Sequence, residues 1–426
     1  MFSEQVWIEY ASILGQLGCT HTDVSYDDFL KAIETQQDSL PSTRKNALMV
    51  GDNLVHLMRL SSVYAGSVDF IYIDPPYNTG SKFVYQDTRK GAKHPILGTH
   101  APWMGFMAQR LFFAKILLKD TGIIAISIDD YEQAHLKIVL DMVFGESNFI
   151  GTVAVARSKN GKGSKKNNFA TNHEYLHIYG KTSAAKLRGK PDSAENYNLA
   201  DEHGCYRVDG LFRKKGDASL RTDRPNMYYP LYYNVQGEVF TEPDEGLKET
   251  YPVDSSGIER RWLWGKETTH QNSWKLYASP SGVIYVKNYF GDGKRVKLRS
   301  LWEHNPSFYT EQATKEIKNI YGTKVFETPK SLPFIQYIVD TFCPQDGLTM
   351  DFFAGTGTLA HAVETLNSAH GANRTTWLME TDAAVPSNHA ARKQGFETIA
   401  EITEYRLNQI QTLFPTARFE IFELGS

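Results

Sequence analysis

The tetrapeptide Asp74-Pro75-Pro76-Tyr77 follows a short apolar run, Val68–Ile73. Each proline fixes its own φ and pushes the residue before it into extended geometry, so Asp74 and Pro75 are held rigid. The Asp74 carboxylate and the Pro75 carbonyl can then be aimed at one point. Two fixed acceptors suit a group with two N–H donors, such as an exocyclic amine, and Tyr77 adds a flat face for a planar ring. The amino nitrogen of adenine or cytosine is a poor nucleophile because its lone pair is delocalised into the ring. Accepting hydrogen bonds from both of its hydrogens favours a pyramidal nitrogen with a localised lone pair. A carboxylate also stabilises the positive charge that grows on nitrogen as it attacks a methyl donor. The competing reading is a surface turn, since Pro-Pro followed by Asn78-Thr79-Gly80 is good turn chemistry.

A second motif, Asp351-Phe352-Phe353-Ala354-Gly355-Thr356-Gly357-Thr358, stands between a strand pattern and a helix pattern. Its glycines permit a tight turn and close ligand approach, and a helix N-terminus favours an anionic group. It lacks the Gly-Lys-Ser/Thr ending of a phosphate-binding loop and the third glycine of the dinucleotide fingerprint, so ATP and NAD are disfavoured. Glu380 closes the next strand pattern, where an acid can accept hydrogen bonds from ribose hydroxyls. An ordinary strand–turn–helix connection with a strand-end acid is the alternative.

The elements that must position these residues have an α/β pattern. Ala47–Val50, Val68–Ile73 and Ile123–Ile128 are apolar runs typical of strands buried on both faces. Helical spacing appears after Asp52 (Leu54, Leu57, Met58, Leu60) and over Trp103–Leu118, which Gly122 is expected to stop. Ile150–Ala156 and Glu174–Tyr179 are two further strand candidates. Residues 1–45 look like a small helical extension in which Ser25 can cap a helix bearing Asp27 and Asp28 in its first turn. Residues 181–325 are rich in Tyr, Trp, Gly and Pro with short alternating runs, the pattern of a separate strand- and loop-rich domain. The α/β order returns at Leu348–Phe353 and Thr375–Met379.

The chain has 426 residues, a formal net charge of −3 and three widely separated cysteines. That length fits two packed domains plus an extension. No apolar stretch is long enough to span a membrane, and Glu4 and Glu9 are unlike a signal peptide. The cysteines fit a reducing cytoplasm. The net charge argues against a nucleic-acid partner until its distribution is considered: nine cations lie between Arg157 and Lys190 against Glu174 alone, a local +8.

Together, Gly51-Asp52-Asn53-Leu54, Asp-Pro-Pro-Tyr-Asn-Thr-Gly and Asp-Phe-Phe-Ala-Gly-Thr-Gly-Thr resemble the β-class amino-DNA methyltransferases, most closely the modification subunits of type III restriction–modification systems. The resemblance covers about residues 45–180 and 325–412. It implies a circularly permuted, Rossmann-like methyltransferase domain (46–180 and 326–426) interrupted by a mixed α+β target-recognition domain (181–325). It implies S-adenosylmethionine as donor and Asp74, Pro75, Pro76 and Tyr77 as the catalytic set. The donor site it implies comprises Asp351, Phe353, Ala354, Gly355, Gly357, Thr358 and Glu380, with Lys330 in the family's remaining cofactor motif. That motif usually has a proline after the lysine, where this chain has Ser331. Asp52 either contacts the donor's adenine or caps the following helix.

The expected activity is methylation of adenine N6 in double-stranded DNA, because an aspartate at the motif head favours adenine in this family. Cytosine N4, an amide or RNA base, and a DNA-binding module without turnover are the alternatives. A target base must be rotated out of the duplex, and lysine–phosphate contacts help offset that cost. Lys159, Lys162, Lys165 and Lys166 are the candidate contacts, with Phe169 either stacking on the extruded base or lying in the core. A second cluster, Lys287, Lys294, Arg295, Lys297 and Arg299, falls in the middle domain near Trp262, Trp264, Trp274 and Trp302, which are expected to be mainly core. Asp130 and Gln133 suggest a capping box for a helix Tyr131–Phe144. His173 and His177 have i,i+4 spacing on a strand without a third ligand, so no metal site is expected. A homodimer and a restriction subunit are the candidate protein partners.

Overall fold

The computed structural model describes residues 4–17, 25–34, 40–78, 100–161, 169–187, 189–291, 295–303 and 305–423. Two compact units divide the chain: residues 1–188 with 298–426, and residues 189–297.

The first unit opens with helices α1 (Glu4–Gln16) and α2 (Tyr26–Ile33). Ser25 caps α2 as its sequence suggests: its hydroxyl accepts from Asp28 N, while Asp28 accepts from Ser25 N. There follow β1 (Asn46–Val50), α3 (Asn53–Val63), β2 (Val68–Ile73), α4 (His100–Leu117), β3 (Leu118–Ile128), α5 (Gln133–Phe144), β4 (Phe149–Ala156) and β5 (His173–Gly180). The helix at 100–117 runs straight into β3 rather than ending at Gly122. That glycine lies inside the strand, where a Cβ would come within 2.9 Å of Lys119 O.

The second unit holds β6 (Lys190–Pro191), β7 (Leu199–Asp201), β8 (Gly204–Leu211), β9 (Leu231–Tyr233), β10 (Val239–Phe240), β11 (Lys248–Thr250), the short helix α6 (Lys266–Gln271), β12 (Leu276–Ala278), β13 (Ile284–Tyr289) and β14 (Arg295–Val296). Its strands form small antiparallel sheets around a core of its own, with Phe212, Leu231, Trp262 and Ile284 at the centre. Trp262 is buried as expected, whereas Trp274 is exposed. Lys287 is tied to Asp201 at 2.7 Å.

The chain returns to the first unit with β15 (Leu301–Trp302), α7 (Thr310–Tyr321), α8 (Leu332–Phe342), β16 (Leu348–Asp351), α9 (Thr358–His370), β17 (Thr375–Glu380), α10 (Ala390–Lys393), α11 (Ile399–Leu413) and β18 (Phe419–Glu423). The inserted unit is therefore shorter than the expected 181–325. Residues 298–325 belong with the α/β unit, because β15 pairs with β4 and α7 buries Ile317 and Tyr321 against Ile399 and Ile402. Aromatic composition made this stretch look like the insert, but its packing places it elsewhere.

Among the described residues, nine strands form one sheet in the order β15-β4-β5-β3-β2-β16-β17-β1-β18. The six from β3 to β18 are mutually parallel, and β5 runs antiparallel to both neighbours. Alternate residues serve opposite faces. Ile71, Ile73, Ile124 and Ile126 pack toward α3, α4 and α5, while Phe70, Tyr72, Ile123 and Ala125 pack toward α8, α9 and α11. Strands covered on both faces explain the unbroken apolar runs. Among the described residues, no helix is long and apolar enough to cross a membrane.

Candidate active site

The permuted chain order is resolved at β2 and β16, which lie side by side and parallel, with Phe70 opposite Thr349. Both strands therefore end on the same edge of the sheet. The Asp74 motif leaves one and the Gly355 loop leaves the other, at the kind of crevice where ligands bind in open α/β sheets. A cavity of about 450 Å³ opens there, the size of a small-molecule site.

Of the residues expected to hold the donor, Asp52, Lys330, Asp351, Phe353, Ala354, Gly355, Thr358 and Glu380 line this cavity. Gly357 does not line it. It sits at the N-cap of α9 with φ 75°, a left-handed conformation that lets the loop turn into the helix. Gly355 also has positive φ (56°), and a Cβ on it would meet the Phe326 ring at 3.4 Å. The loop is braced from below. Thr403 Oγ1 donates to Gly355 O at 2.6 Å, and the buried Arg406 donates to Thr356 and Thr358 hydroxyls at 3.0 and 2.9 Å. Glu380 accepts from Gly355 N at 2.6 Å, and burial pushes its carboxyl up to about 7. Asp351 accepts from Phe353 N; burial first, and then the nearby Asp74 charge, raise its carboxyl well above the usual range.

Asp52 takes the capping role that its position allows. Its carboxylate accepts from Leu54 N at 2.8 Å, capping α3, and still borders the cavity. Asn53 and Arg110 complete this wall and were not singled out from the sequence. Arg110 Nε donates to Asn53 Oδ1 at 2.6 Å, Asn53 Nδ2 donates to Phe352 O, and the guanidinium stacks on Phe106 at 3.6 Å. The available signal was an arginine in a largely apolar helix. Such a buried charge needs partners.

Of the four residues expected to be catalytic, Asp74 and Pro76 line the cavity, whereas Pro75 and Tyr77 do not. Pro76 O is taken by the Trp103 indole N–H at 2.7 Å. Asp74 Oδ1 accepts from the Tyr77 hydroxyl at 2.5 Å and from Lys330 Nζ at 2.5 Å, and neither of these bonds uses Oδ2. Lys330 also lies 2.9 Å from the Tyr77 hydroxyl and 3.6 Å from Glu174 Oε2. One ammonium thus bridges two carboxylates. Lys330, expected in the donor site, is hydrogen-bonded directly to Asp74. Lys330 Nζ stands 5.2 Å from the centre of the Tyr77 ring, and burial raises the Tyr77 phenol well above its ordinary value.

The basic stretch is less uniform than its charge count. Arg157 is buried, donating to Phe308 O at 2.9 Å with its Nε 3.4 Å from Glu174, so it belongs to the interior. Lys159 is exposed, and Phe169 is 98% exposed, which removes the core reading of that ring. Arg295 is exposed on β14 and donates to Gly189 O. Lys162, Lys165, Lys166 and Lys294 lie outside the described residues. The expected capping box at 130–133 does not form. Helix α5 starts at Gln133, Asp129 accepts from Tyr131 N, and Glu132 at the N-cap makes no capping bond because its carboxylate turns inward. His177 lies within hydrogen-bond distance of Thr152 Oγ1 and Gln133 O.

A family model described as DNA methylase, of the N6/N4 type, matches residues 68–372. The chain is 55% identical to the type II methyltransferase M.KpnI of Klebsiella pneumoniae over 380 residues, covering 89% of this chain and 91% of that protein. It is 33% identical to the EcoPI Mod subunit of Escherichia phage P1 and 35% identical to the StyLTI Mod subunit of Salmonella typhimurium. These matches cover 86% of this chain in both cases, but only 62% and 57% of those longer proteins. The methyl donor is S-adenosylmethionine. The cavity fits such a ligand: two buried acids suit its cationic, ribose-bearing body, and glycine at 355 leaves room where a side chain would crowd Phe326. By sequence and by the α/β architecture of its site, the chain belongs to the N6/N4 family of DNA methylases.

Proposed function

We propose that the chain transfers the methyl group of S-adenosylmethionine to the N6 amino group of adenine in double-stranded DNA, acting on a base turned out of the helix. The observation that carries this reading is the Asp74 carboxylate, lining the cavity and held through Oδ1 by Tyr77 and Lys330, bonds that among the described residues do not engage Oδ2. S-adenosylmethionine supplies an electrophilic methyl group, and every other role falls to the chain. Glu380, Asp52 and the Gly355 loop, which line the cavity, would hold and orient the donor. Asp74 accepts a hydrogen bond from the target amine and stabilises the positive charge that develops on nitrogen. The rigid Pro75-Pro76 backbone fixes the direction of approach. The aspartate at the motif head favours adenine over cytosine, and 55% identity to M.KpnI together with similarity to Mod subunits supports an action on DNA.

Residues 189–297 are proposed to read the DNA sequence, with Lys159, Lys162, Lys165, Lys166, Lys294 and Arg295 on phosphates and Phe169 against the displaced base. The full exposure of Phe169 supports that last role. Partnership with a restriction subunit is proposed from the Mod relatives, and self-association and a cytoplasmic site of action are further parts of the proposal.

The test is methyl transfer from labelled donor to mixed duplex DNA, followed by nucleoside analysis. Label in N6-methyladenosine supports the reading; label only in N4-methylcytidine, RNA or protein refutes it. Asp74→Ala should abolish transfer and leave donor binding nearly intact.

A further inference from the structure

A cluster of ionisable side chains lies outside the donor cavity, behind the catalytic turn. His100 opens α4, Glu132 ends the turn after β3, and His135 stands in the first turn of α5. The Glu132 side chain is wholly buried. Its Oε1 accepts from the Asn78 amide at 2.6 Å and faces His100 Nδ1 at 2.7 Å. Its Oε2 lies 3.1 Å from His135 Nδ1, at an angle that makes no hydrogen bond. Neither of those two buried atoms has a hydrogen-bond partner among the described residues. The two imidazoles lie nearly parallel, 14° apart, with centroids separated by 3.9 Å.

A buried carboxylate oxygen and a buried ring nitrogen without hydrogen bonds carry a desolvation cost that a folded protein normally avoids. Both atoms can offer a lone pair, and a cation between them would engage both. One ligand atom from each of the three residues already lies within 4.8 Å of the other two. Two imidazole nitrogens with one carboxylate oxygen form a donor set for zinc and its first-row neighbours, whereas magnesium and calcium prefer shells of oxygen. Ligation at about 2.0–2.2 Å requires the stacked rings to splay, so that their in-plane lone pairs converge. Asn78 already holds the carboxylate from outside, as an orienting partner does in built metal sites.

We propose that His100, Glu132 and His135 bind a zinc-class divalent cation. The ion would staple the starts of α4 and α5 together. Through Glu132 and Asn78 it would also brace the backbone directly after Tyr77, where Asn78 holds a left-handed φ of 54°. Its role is to position the catalytic turn, without contact to substrate or donor.

The test uses the full chain, stripped with a chelator, dialysed, and titrated with Zn²⁺ by calorimetry and with Co²⁺ by visible absorption. One saturable equivalent is expected, with cobalt bands typical of nitrogen and oxygen ligands and a rise in Tm on adding Zn²⁺. His100→Ala and His135→Ala should each weaken that equivalent by about tenfold or more. Glu132→Gln keeps an acceptor for Asn78, so it should retain native far-ultraviolet circular dichroism while losing the ion. Absence of a saturable equivalent in the wild type, or an equivalent that survives unchanged in His135→Ala, overturns the assignment.

Discussion

Replacing Lys330 by methionine tests what its ammonium does. Nζ lies 2.5 Å from Asp74 Oδ1 and 3.6 Å from Glu174 Oε2, on a side chain only 6% exposed. Methionine keeps most of the aliphatic length and removes the charge, so Asp74 and Glu174 lose their shared counter-ion in a crevice that also contains Asp351. Breaking a buried pair by deleting one partner costs about 3–5 kcal/mol. The Asp74 side chain keeps some contact with solvent, which places the expected loss of unfolding free energy near the lower end, about 3 kcal/mol. The chemical effect is separable from this one. Losing one preorganised electrostatic group typically costs about 10²–10³ in kcat, and a released Asp74 carboxylate should fall in that range. Single-turnover transfer from labelled donor to duplex DNA, measured beside equilibrium donor binding, distinguishes the roles. The expected result is a rate about 100-fold lower with a donor Kd within about threefold of wild type. An unchanged rate with a donor Kd weakened more than about tenfold would refute the reasoning and make Lys330 a donor ligand alone.

Glu380, raised to about 7 by burial, binds a proton in the folded state that it has lost in the unfolded state between pH 4.5 and 7. Folding stability should therefore fall as pH rises through that window, by up to roughly 3 kcal/mol, and Glu380→Gln should flatten this part of a Tm-against-pH curve. Hydrogen bonds from ribose hydroxyls favour the ionised form. Donor affinity should accordingly decline below about pH 7 in the wild type and lose this dependence in Glu380→Gln, as calorimetry would show. Gly355→Ala places a Cβ at φ 56° and 3.4 Å from the Phe326 ring. It should cost about 1 kcal/mol of stability by chemical denaturation and weaken donor binding several-fold. Lys159→Ala should reduce the slope of log affinity for DNA against log salt by about 1, while the buried Arg157→Ala should leave that slope unchanged and lower the Tm.

The strands and their end motifs were legible because a strand covered on both faces must be apolar along its whole length, as Val68–Ile73 and Ile123–Ile128 are. The boundary of the inserted unit was less legible, since Trp302 and Tyr321 resemble the aromatic composition of the insert while packing in the α/β unit. The helix start at Gln133 was also missed. A local capping rule assigned Asp130 a partner, but the inward turn of Glu132 toward Asn78 and His100 decides that corner.

What the amino-acid sequence determined by itself was the residue types at each strand end: a rigid Asp-Pro-Pro-Tyr turn, a glycine loop and a strand-end acid. These depend on local backbone constraints, and a one-dimensional pattern carries them intact. The tertiary structure decided which charges share a site. Lys330 reaches Asp74 across 256 positions, Arg157 turns inward to Glu174, and Arg110 anchors Asn53. Such pairings exist only once parallel β2 and β16 bring two distant segments to one edge, where low dielectric and fixed distance, rather than sequence spacing, set the electrostatics.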